Sequence, residues 1–160
     1  MQEIKITATL TCYDNLEELP QEVQMLMQHA VEAREKAYAP YSEFKVGAAL
    51  ALENGEVVTG SNQENAAYPS GLCAERVAIF YAGAKYPNVK MLRLALTATS
   101  NHQVTKTPIP PCGACRQVIA EYEMKQETPI EIYFMGAEGK IMKSNSLKDL
   151  LPLVFDKTYL

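Results

Sequence analysis

Along the segment from Lys5 to Tyr13, Ile6, Ala8, Leu10 and Cys12 alternate with Lys5, Thr7, Thr9 and Thr11, the period of two expected of a half-buried strand. On this pattern Cys12 faces a core. Between Gln21 and Tyr38 the apolar residues Val23, Met27, Ala30, Ala33 and Ala37 recur at spacings of three and four, leaving Gln28, Glu32 and Glu35 to face water. That predicts an amphipathic helix which stops before Pro40. From Phe44 to Leu52, Phe44, Val46, Ala48, Leu50 and Leu52 share one side and Gly47, Ala49 and Ala51 the other. Both faces are nearly apolar, as in a strand covered by helices on both sides. Asn54-Gly55 then predicts a two-residue hairpin turn with positive φ angles, and the chain returns through Glu56 to Gly60. Further on the pattern predicts a helix over Ala74–Ala84, a strand over Met91–Ala98, a helix over Cys112–Tyr122 and a strand over Ile130–Met135. Ser146 followed by Asp149 resembles a capping box opening a last short helix. Strands and helices alternate after the hairpin, which gives an α/β layered sheet with helices on both faces.

No internal repeat and no Gly/Ser/Pro-rich linker divides the 160 residues, so one domain over 1–160 is expected, with residues 1–20 as an N-terminal extension that supplies an edge strand. Lys and Arg number 15 against 19 Asp and Glu, a net charge of −4. No broad cationic field exists to hold a phosphate backbone, which disfavours nucleic acid as the main ligand. The longest apolar runs, such as Val46–Leu52, fall well short of the ~20 residues of a membrane helix. The first residues, MQEIKITATL, lack the basic patch and apolar stretch of a signal peptide, so cytoplasm is the expected compartment. In a reducing compartment the four cysteines, at 12, 73, 112 and 115, point to metal binding or catalysis rather than to disulfides.

Pro111-Cys112-Gly113-Ala114-Cys115 sets two thiols three apart. If Cys112 opens a helix, both lie on one face of its first turn and can share an ion. A third thiol, Cys73, opens another predicted helix and is followed two residues on by Glu75. Three thiolates suit Zn²⁺, and three protein ligands leave the fourth tetrahedral position open, as in catalytic sites. Three thiolates around Zn²⁺ also leave a net charge near −1, which helix N-termini and a donor such as Arg76 would offset. A glutamate two residues after one ligand, followed by P-C-x-x-C, is the pattern of zinc base deaminases, in which the glutamate moves protons and does not bind metal. The residues leave other readings open. The cysteines can be buried apolar residues or, for Cys112 and Cys115, a redox pair; Glu75 a solvated helix residue; Arg76 a surface salt-bridge partner; Asn62 and Glu64 caps of a turn; and Phe44 mere core.

The segments YAPYSEFKVGAAL (Tyr38–Leu50), NQENAAY (Asn62–Tyr68), CAER (Cys73–Arg76) and PCGACRQVI (Pro111–Ile119), in this order, resemble the cytidine deaminase family, specifically its small homotetrameric three-cysteine type. The similarity runs from about Val31 to Phe155. The resemblance implies a three-layer α-β-α sandwich with a mixed central sheet, one zinc per chain on Cys73, Cys112 and Cys115, and Glu75 as proton carrier between water, ring nitrogen and leaving ammonia. It also implies that Asn62 and Glu64 read the sugar 3′-hydroxyl, that Phe44 packs on base or sugar, and that the backbone of Ala74 meets the pyrimidine edge. Phe155 matches a late phenylalanine that reaches a neighbouring subunit's pocket, although Leu153-Val154 stand where the family pattern has Gly-Ala. The stretch before Val23 extends beyond the family's usual start. The expected activity is hydrolytic deamination of cytidine and 2′-deoxycytidine in pyrimidine salvage, by a homotetramer acting on a small nucleoside with no nucleic-acid or membrane partner. The alternatives are a deaminase of a modified or blasticidin-type aminonucleoside, a non-catalytic zinc-binding module, and a polynucleotide deaminase disfavoured by charge.

Overall fold

Strand β2 (Phe44–Leu52) is the spine of the molecule, and its two apolar faces meet two different helix layers. The computed structural model describes residues 1–160. On one face Ala48, Leu50 and Leu52 pack with Ala74, Ala78 and Ile79 of helix α2 (Ala74–Lys85) and Ile119 and Ala120 of helix α3 (Gly113–Gln126). On the other, Ala49 packs with Val23, Leu26, Met27 and Ala30 of helix α1 (Gln21–Glu35). Gly47 is required on that second face. A Cβ there would stand 2.0 Å from the Ala30 carbonyl oxygen and 2.4 Å from the Arg34 nitrogen, so only glycine lets α1 lie against the strand.

The remaining strands are β1 (Thr11–Tyr13), β3 (Val57–Ser61), β4 (Met91–Ser100), β5 (Glu131–Met135) and β6 (Ile141–Ser144). They form one six-stranded sheet in the order β1-β6-β5-β4-β2-β3. Only β4 and β5 are parallel, joined by α3 as a crossover, and the other neighbours are antiparallel. The result is a three-layer α-β-α sandwich on a mixed sheet, as the resemblance implies.

Several details depart from the sequence expectations. The first strand is only three residues long: β6 pairs with Thr11–Tyr13 alone, and the residues before Thr11 have no ladder partner. Cys12 is exposed rather than core-facing: at the sheet edge no helix covers its face, which it shares with Leu10 in an open cleft. Helix α1 ends at Glu35, since Tyr38 leaves it to pair with Gln63. At the hairpin only Gly55, with φ +85°, lies in the left-handed region. Gly55 N–H bonds the Leu52 carbonyl and Leu52 N–H the Glu56 carbonyl, which encloses three residues instead of two.

At the far end of α3, buried Glu123 accepts from the backbone N–H groups of Ile130 and Leu147 and from the Ser146 hydroxyl, at 2.8, 2.9 and 2.9 Å. Ser146 caps a single 3₁₀ turn, Leu147–Asp149, where a short helix was expected. No helix is long and apolar enough to cross a membrane.

Two glycine substitutions separate packing from backbone strain. Gly47→Ala should lower the unfolding free energy in urea by about 3 kcal/mol, since backbone atoms must move to admit the methyl group. Gly55→Ala, with open space around it but a positive φ, should cost only about 1 kcal/mol.

Candidate metal centre and substrate cavity

Cys73 and Cys112 are the N-cap residues of α2 and α3, both with extended backbone, and neither side chain caps its own helix. The two helices therefore bring their unpaired N–H groups to one place, where the partial positive charge of each terminus favours sulfur anions. Cys115, one turn into α3, is fully buried. The Sγ atoms of Cys73 and Cys112 are 3.8 Å apart and those of Cys112 and Cys115 3.4 Å apart, with all three within 4.8 Å of one another. Tetrahedral sulfur ligands about 2.3 Å from zinc stand about 3.8 Å from each other. The spacing fits one zinc ion.

Their acidities show the same need for a cation. The Cys73 thiol is pushed down to about 5, chiefly by a hydrogen bond from Cys115 that outweighs burial, with Arg76 and Cys112 helping. Cys115 is pushed up, first because it donates to the Cys73 sulfur and then by its own burial and by Glu75. Crowded thiols share one negative charge among themselves, and a divalent ion is what lets all three ionise together. The Arg76 guanidinium lies 3.7 Å from the Cys73 sulfur, so its direction is toward the cluster and not toward a surface partner.

Glu75 follows in the first turn of α2, is only 4% exposed, and borders the cavity beside the sulfurs. Burial raises its carboxyl pKa, and the Cys73 charge adds to the effect. Ala74 is fully buried, and its side chain does not line the cavity. It is the first residue of α2, between Cys73 and Glu75 in the chain.

The cavity has a volume of about 610 Å³. Phe44, Asn62 and Glu64 line it together with Cys73, Cys112 and Glu75, so sheet residues and metal cluster form one site. Asn62 accepts from Val46 N–H at 2.8 Å and donates to the Phe44 carbonyl at 2.9 Å, which extends the pairing of β2 past the end of β3. Glu64 accepts from the backbone N–H groups of Tyr41 and Ser42, at 2.8 and 3.3 Å, and from the Ser42 hydroxyl. The hydroxyl first, then the two amides, hold its carboxyl below the usual range. Both residues thus shape the wall as well as face the cavity. Phe155 is elsewhere: it is 61% exposed, stacks on Tyr159 at 5.8 Å, and does not line its own chain's cavity.

Sequence reasoning gave no role to Tyr41, Ser42 or Tyr68, which also line the cavity. Tyr41 and Tyr68 stand at its mouth with ring centroids 6.2 Å apart and more than half their surface exposed. Tyr41 lies in a turn and Tyr68 opens a single 3₁₀ turn, Tyr68–Ser70, where no periodicity marks an aromatic as a wall; the only signal was their place inside the segments quoted above.

Comparison with known proteins gives a consistent picture. Residues 20–128 match the family model described as cytidine and deoxycytidylate deaminase zinc-binding region. A cytidine deaminase of Halalkalibacterium halodurans is 42% identical over 132 residues, 82% of this chain and 92% of its own length. One from Sporosarcina psychrophila is 41% identical over 136 residues, 85% of this chain and 93% of its own. The crystal structure of cytidine deaminase from Burkholderia pseudomallei superposes with a TM-score of 0.72 at 40% identity, covering 86% of this chain and 100% of that one.

Removing any one of the three clustered sulfurs should empty the metal position. After dialysis against a chelator, Cys73→Ala, Cys112→Ala and Cys115→Ala should each hold far less than one zinc per chain by elemental analysis. Cys12→Ala, altered at the exposed sheet edge, should hold the same amount as the unaltered protein.

Proposed function

The chain belongs to the cytidine and deoxycytidylate deaminase zinc-binding family, and from that premise we propose that it is a zinc-dependent hydrolase converting cytidine and 2′-deoxycytidine to the uridine nucleosides with release of ammonia. The observation that carries this is the three-sulfur cluster opening onto the same cavity wall as the buried Glu75.

Cys73, Cys112 and Cys115 hold the metal in this reading, with Arg76 and the two helix termini offsetting the charge of three thiolates. Bound there, zinc would supply Lewis acidity that makes a water easier to deprotonate. Glu75 accepts the water's proton and passes it to ring N3 as oxygen adds to C4; it then takes the remaining proton from that oxygen and delivers it to the amine, which leaves as the C4–N bond breaks and the carbonyl forms. A carboxyl whose pKa is raised by burial suits this work, because a proton it accepts is not lost at once to bulk water. The products balance: one water enters, one ammonia leaves, and a ring carbonyl replaces the amine.

The polar capacity of the wall supports the choice of substrate. An ionised carboxylate has about four acceptor positions, and Glu64 already fills three. Asn62 has used one N–H and one lone pair. What is left, one acceptor position on Glu64 and one N–H with one lone pair on Asn62, can take a sugar hydroxyl that donates to Glu64 and accepts from Asn62. The 3′-hydroxyl that this pair would read is common to ribose and deoxyribose, so both nucleosides are taken as substrates. Arg76 is the only Lys or Arg lining the cavity, and it faces Cys73. A nucleoside therefore fits better than its 5′-phosphate, and a small molecule better than a polynucleotide. Phe44, with Tyr41 and Tyr68, supplies the apolar and aromatic surface for base and sugar.

We place this activity in pyrimidine salvage, in the cytoplasm, where reducing conditions keep the sulfurs available for zinc. Exposed Phe80 and Tyr81 on α2 and Leu153, Phe155 and Tyr159 at the C-terminus favour assembly into the homotetramer, with Phe155 completing a neighbour's cavity.

Purified protein offered cytidine, deoxycytidine, cytosine and adenosine should release ammonia from the first two only. Glu75→Gln should keep one zinc per chain, leave KM near its original value and lower kcat by about 10³-fold. A Glu75→Gln variant with undiminished kcat would remove the proton-carrier role, and turnover of none of the four compounds at full zinc content would redirect the search to modified nucleosides.

A further inference from the structure

Cys112 is the most exposed of the three clustered cysteines, and although Pro111 before it is fully buried, few hydrogen bonds fix the chain leading to it. From Lys106 through Cys112, in the sequence KTPIPPC, no backbone N–H donates a hydrogen bond within the protein; three of these residues are prolines. The only hydrogen bond made by any carbonyl from Lys106 to Pro111 comes from a side chain. Arg116 Nε donates to the Pro111 carbonyl at 2.9 Å. That carbonyl belongs to the peptide bond joining Pro111 to Cys112, so fixing its plane fixes the direction from which Cys112 leaves the chain.

The same guanidinium donates through Nη1 to the Leu150 carbonyl at 2.7 Å. Leu150 is a firm anchor. It follows the 3₁₀ turn whose Leu147 is 1% exposed and whose Leu147 N–H is held by Glu123, and its own N–H bonds the Leu147 carbonyl. A continuous chain of contacts runs from Glu123 at one end of α3, through the C-terminal turn, back to Arg116 near the other end, and on to the residue before Cys112.

We propose that Arg116 is a positioning residue for the metal centre: its planar fork ties the Pro111–Cys112 peptide to the C-terminal turn and so holds Cys112 in ligating position. Arg76 and Arg116 then divide the work. Arg76 addresses a ligand sulfur directly, whereas Arg116 acts through backbone and does not line the substrate cavity. The proposal rests on the zinc reading above. Outer partners that orient a metal ligand are typically worth about 10- to 100-fold in metal affinity.

The test compares wild-type protein with Arg116→Met, similar in length but without donors, and Arg116→Lys, which reaches one carbonyl but cannot form the fork. Zinc release into a chromogenic chelator should be about tenfold faster or more in Arg116→Met. The visible absorption bands of the Co²⁺-substituted protein should shift, kcat should fall, and KM for cytidine should stay within about twofold of wild type. Arg116→Lys should lie between the two. Loss of thermal stability with an unchanged release rate and an unchanged cobalt spectrum would overturn the proposal, because a merely structural arginine gives that result. Should Arg116→Met fail to fold, Arg116→Lys carries the same readouts, and a wild-type release rate and spectrum in it overturn the proposal equally. Wild-type protein that binds no zinc at all would overturn the reading of the metal centre itself, and the role of Arg116 with it.

Discussion

Everything distinctive in this structure depends on two helix N-termini meeting at three sulfur atoms. Thiolates repel one another, and three of them within 4.8 Å are stable only where opposite charge is concentrated. The unpaired N–H groups at the starts of α2 and α3, the guanidinium of Arg76 and a divalent ion together supply it. The sheet makes the meeting possible. Helix α2 follows β3 and α3 follows β4, both helices pack on the same face of the sheet, and the apolar cluster beneath them contains Leu50, Leu94, Ile79 and Ile119, all fully buried. The position of the sulfurs is thus inherited from a hydrophobic core and refined by polar contacts.

A second set of constraints builds the cavity wall facing the sulfurs. Tyr38 and Leu72 each bridge to Gln63, Asn62 prolongs the pairing of β2, and Glu64 gathers the amides of Tyr41 and Ser42. The wall residues do two jobs at once, satisfying backbone groups that would otherwise be unpaired and leaving a small remainder of donors and acceptors for a ligand. Glu75 lies between cluster and wall, buried, with a pKa raised by that burial and by the Cys73 charge, as the proposed proton carrier needs.

The periodic part of the sequence carried most of the architecture. The two-faced apolar run from Phe44 to Leu52, the spacing of Val23, Met27, Ala30 and Ala33, and the alternation of strands and helices all reappear in the fold, because burial on a known face leaves a regular mark. The failures share a cause. β6 is a four-residue strand after a turn at Gly139 with φ +96°, too short to leave a period. The alternation from Ile6 to Cys12 is genuine, yet β6 offers partners only to Thr11–Tyr13; a strand pattern says what a segment suits and not whether a neighbour exists. At the hairpin Asn54-Gly55 marked a turn correctly but could not set its length. The candidate site was legible for a different reason: ligand spacing is a chemical requirement, and Cys73, Glu75, Cys112 and Cys115 had to converge if they were to act. Arg116 was invisible by that route, since its partners are carbonyl oxygens, which every residue has, at positions 111 and 150.

The most direct test of the central claim is X-ray absorption at the zinc edge of the purified, substrate-free protein. Three sulfur scatterers at about 2.3 Å and one oxygen at about 2.0 Å is the predicted first shell, an open catalytic position on a three-thiolate site. Four sulfurs, or a shell containing histidine nitrogen, would describe a closed or differently built centre and would contradict the account.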